Sequence, residues 1–360
     1  MDACLKDGWG VQTATSCVVS GGVCTLTFPL DHACPVDGVI LLAGASIAAL
    51  NGEQKVTAVA PNTLKFATAA ANGTATGTIT AKMAPGGWAK PFSGTNLAVY
   101  KSLDVQANGH FVRVNDTNAL YARAVAYENM TAISTGTGLA PTAVQLSGGQ
   151  YWHKSAVANA APIDWYCATD GRIFYFGCSS YQSNDPLGNA GLYAAAVSGP
   201  LFGFGDPVVL SRAGDPFSTM ILGCGEPSNS YAGFSAFKPG YGSNTWPFMM
   251  RAIAGTGTAV SVDCGNTAGN LAEDPAMDSV SGQLGISAVI AKTTNTLGKR
   301  AMVPGVYTGE ATYMERVLTH LSSFKAGTPE RSYLAMLSLE GVGSSSSMKL
   351  LALDITGPWR

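Results

Sequence analysis

A chain of 360 residues is long enough to bury a sizeable core without disulfide staples, and to hold two domains or one large β domain with an insertion. Only 12% of it is charged, the formal net charge is −2, and Gly (43) and Pro (18) exceed ordinary usage. Scattered Lys and Arg leave no electrostatic footprint for nucleic acid. No apolar run, Val39 to Leu50 being the longest, approaches the roughly 18 residues that span a bilayer, and Met1-Asp-Ala-Cys-Leu-Lys6 has no signal-peptide pattern, so membrane insertion is not expected.

Residues 11–82 read as a small antiparallel β barrel or sandwich. Its predicted strands are Ser16 to Val19, Val23 to Phe28, Val39 to Leu42, Glu53 to Ala60, Thr63 to Ala67 and Gly73 to Lys82. Gly21-Gly22, Asp37-Gly38, Asn51-Gly52, Pro61-Asn62 and Asn72-Gly73 separate them with tight-turn chemistry. Cys17 and Cys24 flank the first turn, so a bridge across that hairpin is open, while the other cysteines read as free and buried. Cys4, Cys17, Cys24 and Cys34 lack the paired spacing of a zinc site, and no metal or other cofactor is expected.

The same grammar continues to the end. Strands are predicted at Asn96 to Lys101, His110 to Asn115, Ala119 to Glu128, Trp165 to Ala168, Arg172 to Gly177, Val208 to Ser211, Thr219 to Gly223, Val260 to Asp263, Ser287 to Lys292, Tyr333 to Leu339 and Lys349 to Asp354. Asp170-Gly171 is the strongest hairpin turn. Pro186, Pro200, Pro207, Pro216 and Pro239 punctuate long loops, and one helix is predicted at Glu310 to Phe324. No blade-length repeat accompanies the Asp170-Gly171 hairpin, so a larger, jelly-roll-like β sandwich is preferred to a propeller.

Chemistry is weakly signalled. A glycan-cleaving pair of carboxylates would be drawn from Asp164, Asp170, Asp206, Asp215, Glu226 and Asp263, but Asp170, Asp206 and Asp215 also fit turns and loop starts. The histidines His32, His110, His153 and His320 accompany no Gly-x-Ser-x-Gly elbow, and Gly199-Pro-Leu-Phe-Gly-Phe-Gly205 lacks the ending of a phosphate loop. Tyr151-Trp152, Trp165-Tyr166, Phe174-Tyr175-Phe176 and the aromatics from Tyr241 to Phe248 suit a core or an interface, with sugar stacking as the alternative. No catalytic, cofactor-binding or metal residue is assigned.

A succession of motifs carries a family resemblance. Trp88-Ala-Lys-Pro-Phe-Ser-Gly-Thr-Asn-Leu-Ala-Val-Tyr-Lys-Ser102, Gly109-His-Phe-Val-Arg-Val-Asn-Asp-Thr117, Ala122-Arg-Ala-Val-Ala-Tyr-Glu-Asn-Met-Thr131 and Thr135-Gly-Thr-Gly138 resemble virion proteins of tailed bacteriophages. Val303-Pro-Gly-Val-Tyr307 and Leu353-Asp-Ile-Thr-Gly-Pro-Trp359 are similar to later segments of the same family. The run Val39 to Gly44, Leu50 to Val59 and Pro61 to Ala67 resembles a recurrent β module of phage tail proteins. Leu5 to Gly10 and Ala84 to Gly94 look like contiguous text in shorter relatives. The resemblance therefore implies a parent domain formed by residues 1–10 and 83–360, with residues 11–82 inserted. It further implies a non-enzymatic structural protein of the tail or baseplate, made in the host cytoplasm and carried in the virion. Its partners would be other copies, other virion proteins and a host surface glycan or receptor; a head or neck decoration protein and a glycan-binding adhesin are the rival roles.

Overall fold

The computed structural model describes residues 1–155, 158, 162–178, 181–183, 196–198, 201–209, 219–225, 247–251, 257–264, 286–293, 299–310, 322–327, 330–340 and 347–360. The described residues are all-β and the sheets antiparallel, apart from short helical turns at Ala3–Asp7 and Ala48–Leu50. The chain divides into two compact units, Met1–Trp88 and Ala89–Arg360.

The first unit holds β1 (Trp9–Thr13), β2 (Ser16–Ser20), β3 (Val23–Thr27), β4 (Val39–Ala43), β5 (Gly52–Ala60), β6 (Thr63–Ala67), β7 (Gly73–Thr74) and β8 (Thr80–Met83). They run in the order β1-β8-β4-β5-β6-β3-β2-β7. Long β5 serves both halves: residues 52–55 pair with β4, and from Val56 onward, across a bulge between Val56 and Ala58 that bends the strand, it pairs with β6. The bend folds the sheet over its own core, where Val19, Leu26, Ile40, Leu42, Val56 and Phe66 are buried. Alternation along β2 and β3 sends every second side chain inward, and each buried aliphatic or aromatic group contributes roughly 1.5–3 kcal/mol.

Cys17 and Cys24 meet inside this core as free thiols, Sγ to Sγ 3.5 Å. Cys17 lies opposite Leu26 and Cys24 opposite Val19, so the two are diagonal partners, wider apart at the backbone than directly opposed ones. Burial pushes the Cys24 thiol up to about 12.

Two expectations for this unit change. Gly73 to Lys82 is not one strand: β7 pairs with β2, whereas β8 pairs with β1 and β4. The break comes where two backbones touch. Gly44 has φ 83° and a Cβ there would sit 2.1 Å from Thr78 O; Gly77 has φ 111° and a Cβ there would sit 2.4 Å from Gly44 O. Residues 1–10, expected with the larger domain, fall in the first unit: Trp9 pairs with Met83, Gly86 N–H donates to Cys4 O at 2.8 Å and Lys82 Nζ donates to Asp7 O at 2.6 Å. Gly44→Ala is expected to cost about 2–3 kcal/mol in urea unfolding. Gly21→Ala, at φ 58° with nothing within 4 Å of the added methyl, should cost about 1–2 kcal/mol, the conformational term alone.

The second unit contains two large sheets. One is formed by β9 (Trp88–Gly94), β10 (Leu97–Ser102), β11 (Phe111–Asn115), β12 (Tyr121–Tyr127) and β15 (Gln150–His153), with the hairpin β13 (Asn129–Ala132) and β14 (Thr135–Thr137) between the last two. Its order is β15-β12-β11-β10-β9. The other is a twelve-stranded sheet starting with the hairpin β16 (Trp165–Thr169) and β17 (Ile173–Cys178). A separate pair, β18 (Tyr181–Ser183) and β19 (Ala196–Ser198), follows. The large sheet continues through β20 (Phe202–Gly205), β21 (Val208–Val209), β22 (Met220–Leu222), β23 (Phe248–Met249), β24 (Val260–Cys264), β25 (Ser287–Thr293), β26 (Lys299–Glu310), β27 (Ser323–Ala326), β28 (Arg331–Glu340) and β29 (Ser347–Asp354).

The two sheets join through β15. Tyr151 and Cys224 exchange backbone hydrogen bonds of 2.8 and 3.0 Å, and Trp152 Nε1–H donates to Leu222 O at 2.8 Å. The Trp152 ring stacks on Phe202 at 6.2 Å and meets Phe174 edge-on at 6.1 Å. The aromatic pairs singled out in the sequence are therefore mostly core: Trp152, Tyr166, Phe174, Tyr175 and Phe248 are all buried, and Trp165 is half exposed.

The Asp170-Gly171 hairpin forms one residue later than read. Asp170 N–H donates to Ile173 O, so Gly171 and Arg172 occupy the turn, with Gly171 at φ 85°. Tyr313, Val317 and Leu321 of the expected helix lie outside the described residues, and Glu310 and Phe324 at its ends are in β26 and β27. Pro186, Pro200, Pro216 and Pro239 also lie outside the described residues.

Candidate functional site

The place where carboxylates, a histidine and a hydroxyl converge is in the second unit, between the β10–β11 connection and the large sheet. Thr219 is 1% exposed and its hydroxyl donates to Asp206 Oδ1 at 2.7 Å. That uses its one proton, so His110 Nδ1–H must donate to Thr219 Oγ1 at 2.7 Å, and Asn108 Nδ2–H does so at 3.3 Å. Asn108 N–H donates to Asp206 Oδ2 at 2.7 Å. Both oxygens of the Asp206 carboxylate are thus satisfied by donors from other segments.

A second layer extends the contact. Arg172 Nε donates to Asp104 Oδ2 at 2.8 Å and its other arm reaches Gln106, while Ser102 Oγ donates to Gly171 O at 2.6 Å. Arg360 Nε donates to Asp170 Oδ2 at 2.6 Å and the same guanidinium reaches Asp206 O. The Arg172 hydrogen bond holds the Asp104 carboxyl below its usual value. Burial raises Asp206, against the lowering effect of its donors.

This geometry ties the hydroxyl instead of freeing it. A nucleophilic Thr would need its proton directed at the histidine, but here the proton faces Asp206 and the imidazole is itself a donor. The arrangement suits a latch between sheets. It also explains why a carboxylate is retained in a buried place: an amide at 206 would turn an N–H toward either Asn108 N–H or Thr219, whose hydroxyl would then have no acceptor here.

Burial, aided by Arg251 and Lys101, pushes His110 down to about 4 from 6.5. The unfolded chain therefore takes up a proton near pH 6.5 that the folded chain refuses until about pH 4. The stabilisation is fully present above pH 6.5 and is lost as pH falls through that window, on the order of 3 kcal/mol. Asp206, raised, acts with the opposite sign: its contribution is full at low pH and is lost as pH rises through its folded value. Urea midpoints measured from pH 7 to pH 4 should fall, and His110→Gln should flatten that dependence.

Of the other residues named from sequence, Asp164 is exposed, His153 is buried against Phe202, and His32 belongs to the first unit. Asp170 is engaged by Arg172 N–H, Ile173 N–H and Arg360. Asp215, Glu226 and His320 lie outside the described residues, as does the side chain of Asp263. Sequence reading missed Thr219 and Asn108 as partners; only the buried Asp-Pro step at 206 hinted at the place. Among the described residues no group of three or more metal-ligating side chains occurs.

No family model matches the chain, and no curated protein matches it. Among solved structures it is similar to the phage phi92 endosialidase, at 14% identity over 97% of this chain, with a TM-score of 0.19. The chain spans about half the length of that protein, 52%. At that score the likeness carries no inference about activity.

Proposed function

We propose that the chain is a structural component of a bacteriophage particle, placed in the tail or baseplate region, assembling as a homo-oligomer and touching the host surface. The observation that supports this best is where the resembling segments fall. Trp88 to Ser102, Gly109 to Thr117 and Ala122 to Thr131 are successive strands of one antiparallel meander, β9 to β12, and Thr135 to Gly138 continues into the β13–β14 hairpin. The similarity thus follows a folding unit instead of scattered turns.

Surface character points the same way. Few charges cover the chain, and Leu103, Val105 and Val144 stand exposed in the second unit, Val105 at 97%. Copies of the protein would cover such groups in an assembly. The locked Asp206–Thr219–His110 arrangement favours a building block over an enzyme. Gold-labelled antibody against residues 11–82 should decorate tails or baseplates in electron micrographs of particles; label confined to heads, or absent from particles, would overturn the placement.

A further inference from the structure

The β2–β3 hairpin turns through Gly21-Gly22, at φ 58° and 77°, and carries one cysteine on each strand. Both side chains point into the core of the first unit, and both are 0% exposed. Their backbones stand one diagonal step apart, yet the right-handed twist of the strand pair leans that diagonal together, and the sulfurs touch at 3.5 Å. A disulfide bond is about 2.05 Å long, which leaves the sulfurs about 1.5 Å to close.

The surroundings let the strands take up that distance. β2 lies next to the last strand of its sheet, and β7 beyond it pairs only with Val18 and Val19. A small approach of β2 to β3 therefore disturbs an edge of the sheet instead of its middle, and the same edge is where local opening admits a small solute. Cys34, in the same core, is the contrast. Its thiol donates to Pro35 O at 3.5 Å, not to another sulfur, although at 9% exposure it is nearer to solvent than the pair.

We infer that Cys17 and Cys24 form a latent disulfide: hydrogen peroxide closes the pair into an intramolecular bridge across the hairpin, and a dithiol reductant reopens it. Cys17 is the attacking sulfur. Burial raises it, but the Cys24 S–H is placed to donate to its thiolate, whereas burial and then Cys17 itself push the Cys24 thiol up to about 12. Ionised Cys17 attacks one peroxide oxygen; the S–O bond forms, the O–O bond breaks, and the departing hydroxide takes up the proton that Cys17 lost and leaves as water. Cys24 then loses its proton and attacks the Cys17 sulfur. The S–S bond forms, the S–O bond breaks, and the hydroxyl leaves with that proton as a second water. The thiol pair gives up two electrons and the peroxide accepts them. The inference rests on the first unit alone and stands or falls independently of where the chain is carried.

The test uses the full chain, reduced with dithiothreitol, freed of it, and exposed to hydrogen peroxide at about pH 8, where thiolate begins to form. Samples are then denatured in urea with N-ethylmaleimide, reduced, and labelled with iodoacetamide, so that cysteines oxidised by peroxide carry the second label. Peptide fragmentation should place the second label on Cys17 and Cys24 together and maleimide on Cys34, at a rate that rises with pH and is independent of protein concentration. Cys17→Ala, checked for folding by circular dichroism, should leave Cys24 with maleimide. If that variant fails to fold, the wild-type map carries the test alone. Both sulfurs remaining maleimide-labelled, oxidation of Cys34 in their place, oxygen added to either sulfur without a bridge, or a bridge made only between chains would overturn the assignment.

Discussion

Thr219→Val is expected to destabilise the protein by about 3 kcal/mol, although it removes one hydroxyl and nearly conserves volume. The substitution leaves Asp206 Oδ1 without its donor and His110 Nδ1–H without its acceptor, both buried. Each orphaned group costs roughly 1–3 kcal/mol, more when it is charged. Thr219→Ser keeps the hydroxyl and should retain most of the stability. Urea unfolding of both variants checks this: equal midpoints would mean that the network is incidental to the joint between the sheets.

Trp152→Ala should cost still more, about 3–5 kcal/mol, as expected for removal of a fully buried indole. The ring is 1% exposed, stacks on Phe202, meets Phe174, and its N–H is spent on Leu222 O. Gly223 allows that approach, since a Cβ there would come within 2.7 Å of Gln150 Oε1 and 2.9 Å of Trp152 Nε1. Trp165→Ala, at a site 50% exposed, should cost about 1 kcal/mol or less. Thermal melts of the pair separate a core role from a surface role: a mild Trp152 variant would contradict its place in the join between the two sheets.

The sequence made the small strands legible where local chemistry decides them. Thr63–Ala67 forms as read because Pro61-Asn62 turns the chain before it and Leu64 and Phe66 alternate inward. It failed where distant backbone decides. Nothing local breaks Gly73 to Lys82; the carbonyl contacts of Gly44 and Gly77 do. Lys299–Glu310 is absent from the predicted strands; it is irregular around Pro304-Gly305, where Tyr175 Oη–H donates to Pro304 O at 2.7 Å and Trp359 lies over Gly305. Trp9–Thr13 shows no alternation, since its bulge removes the period. The latch was out of reach, because Asn108, His110, Asp206 and Thr219 are brought together only by the packing of two sheets.

The most direct measurement of the proposed role is mass spectrometry of purified phage particles separated into heads and tails. The chain is expected in the tail fraction, at several copies per particle. Recovery only with heads would replace the tail assignment with decoration, and absence from both fractions would contradict the structural reading altogether.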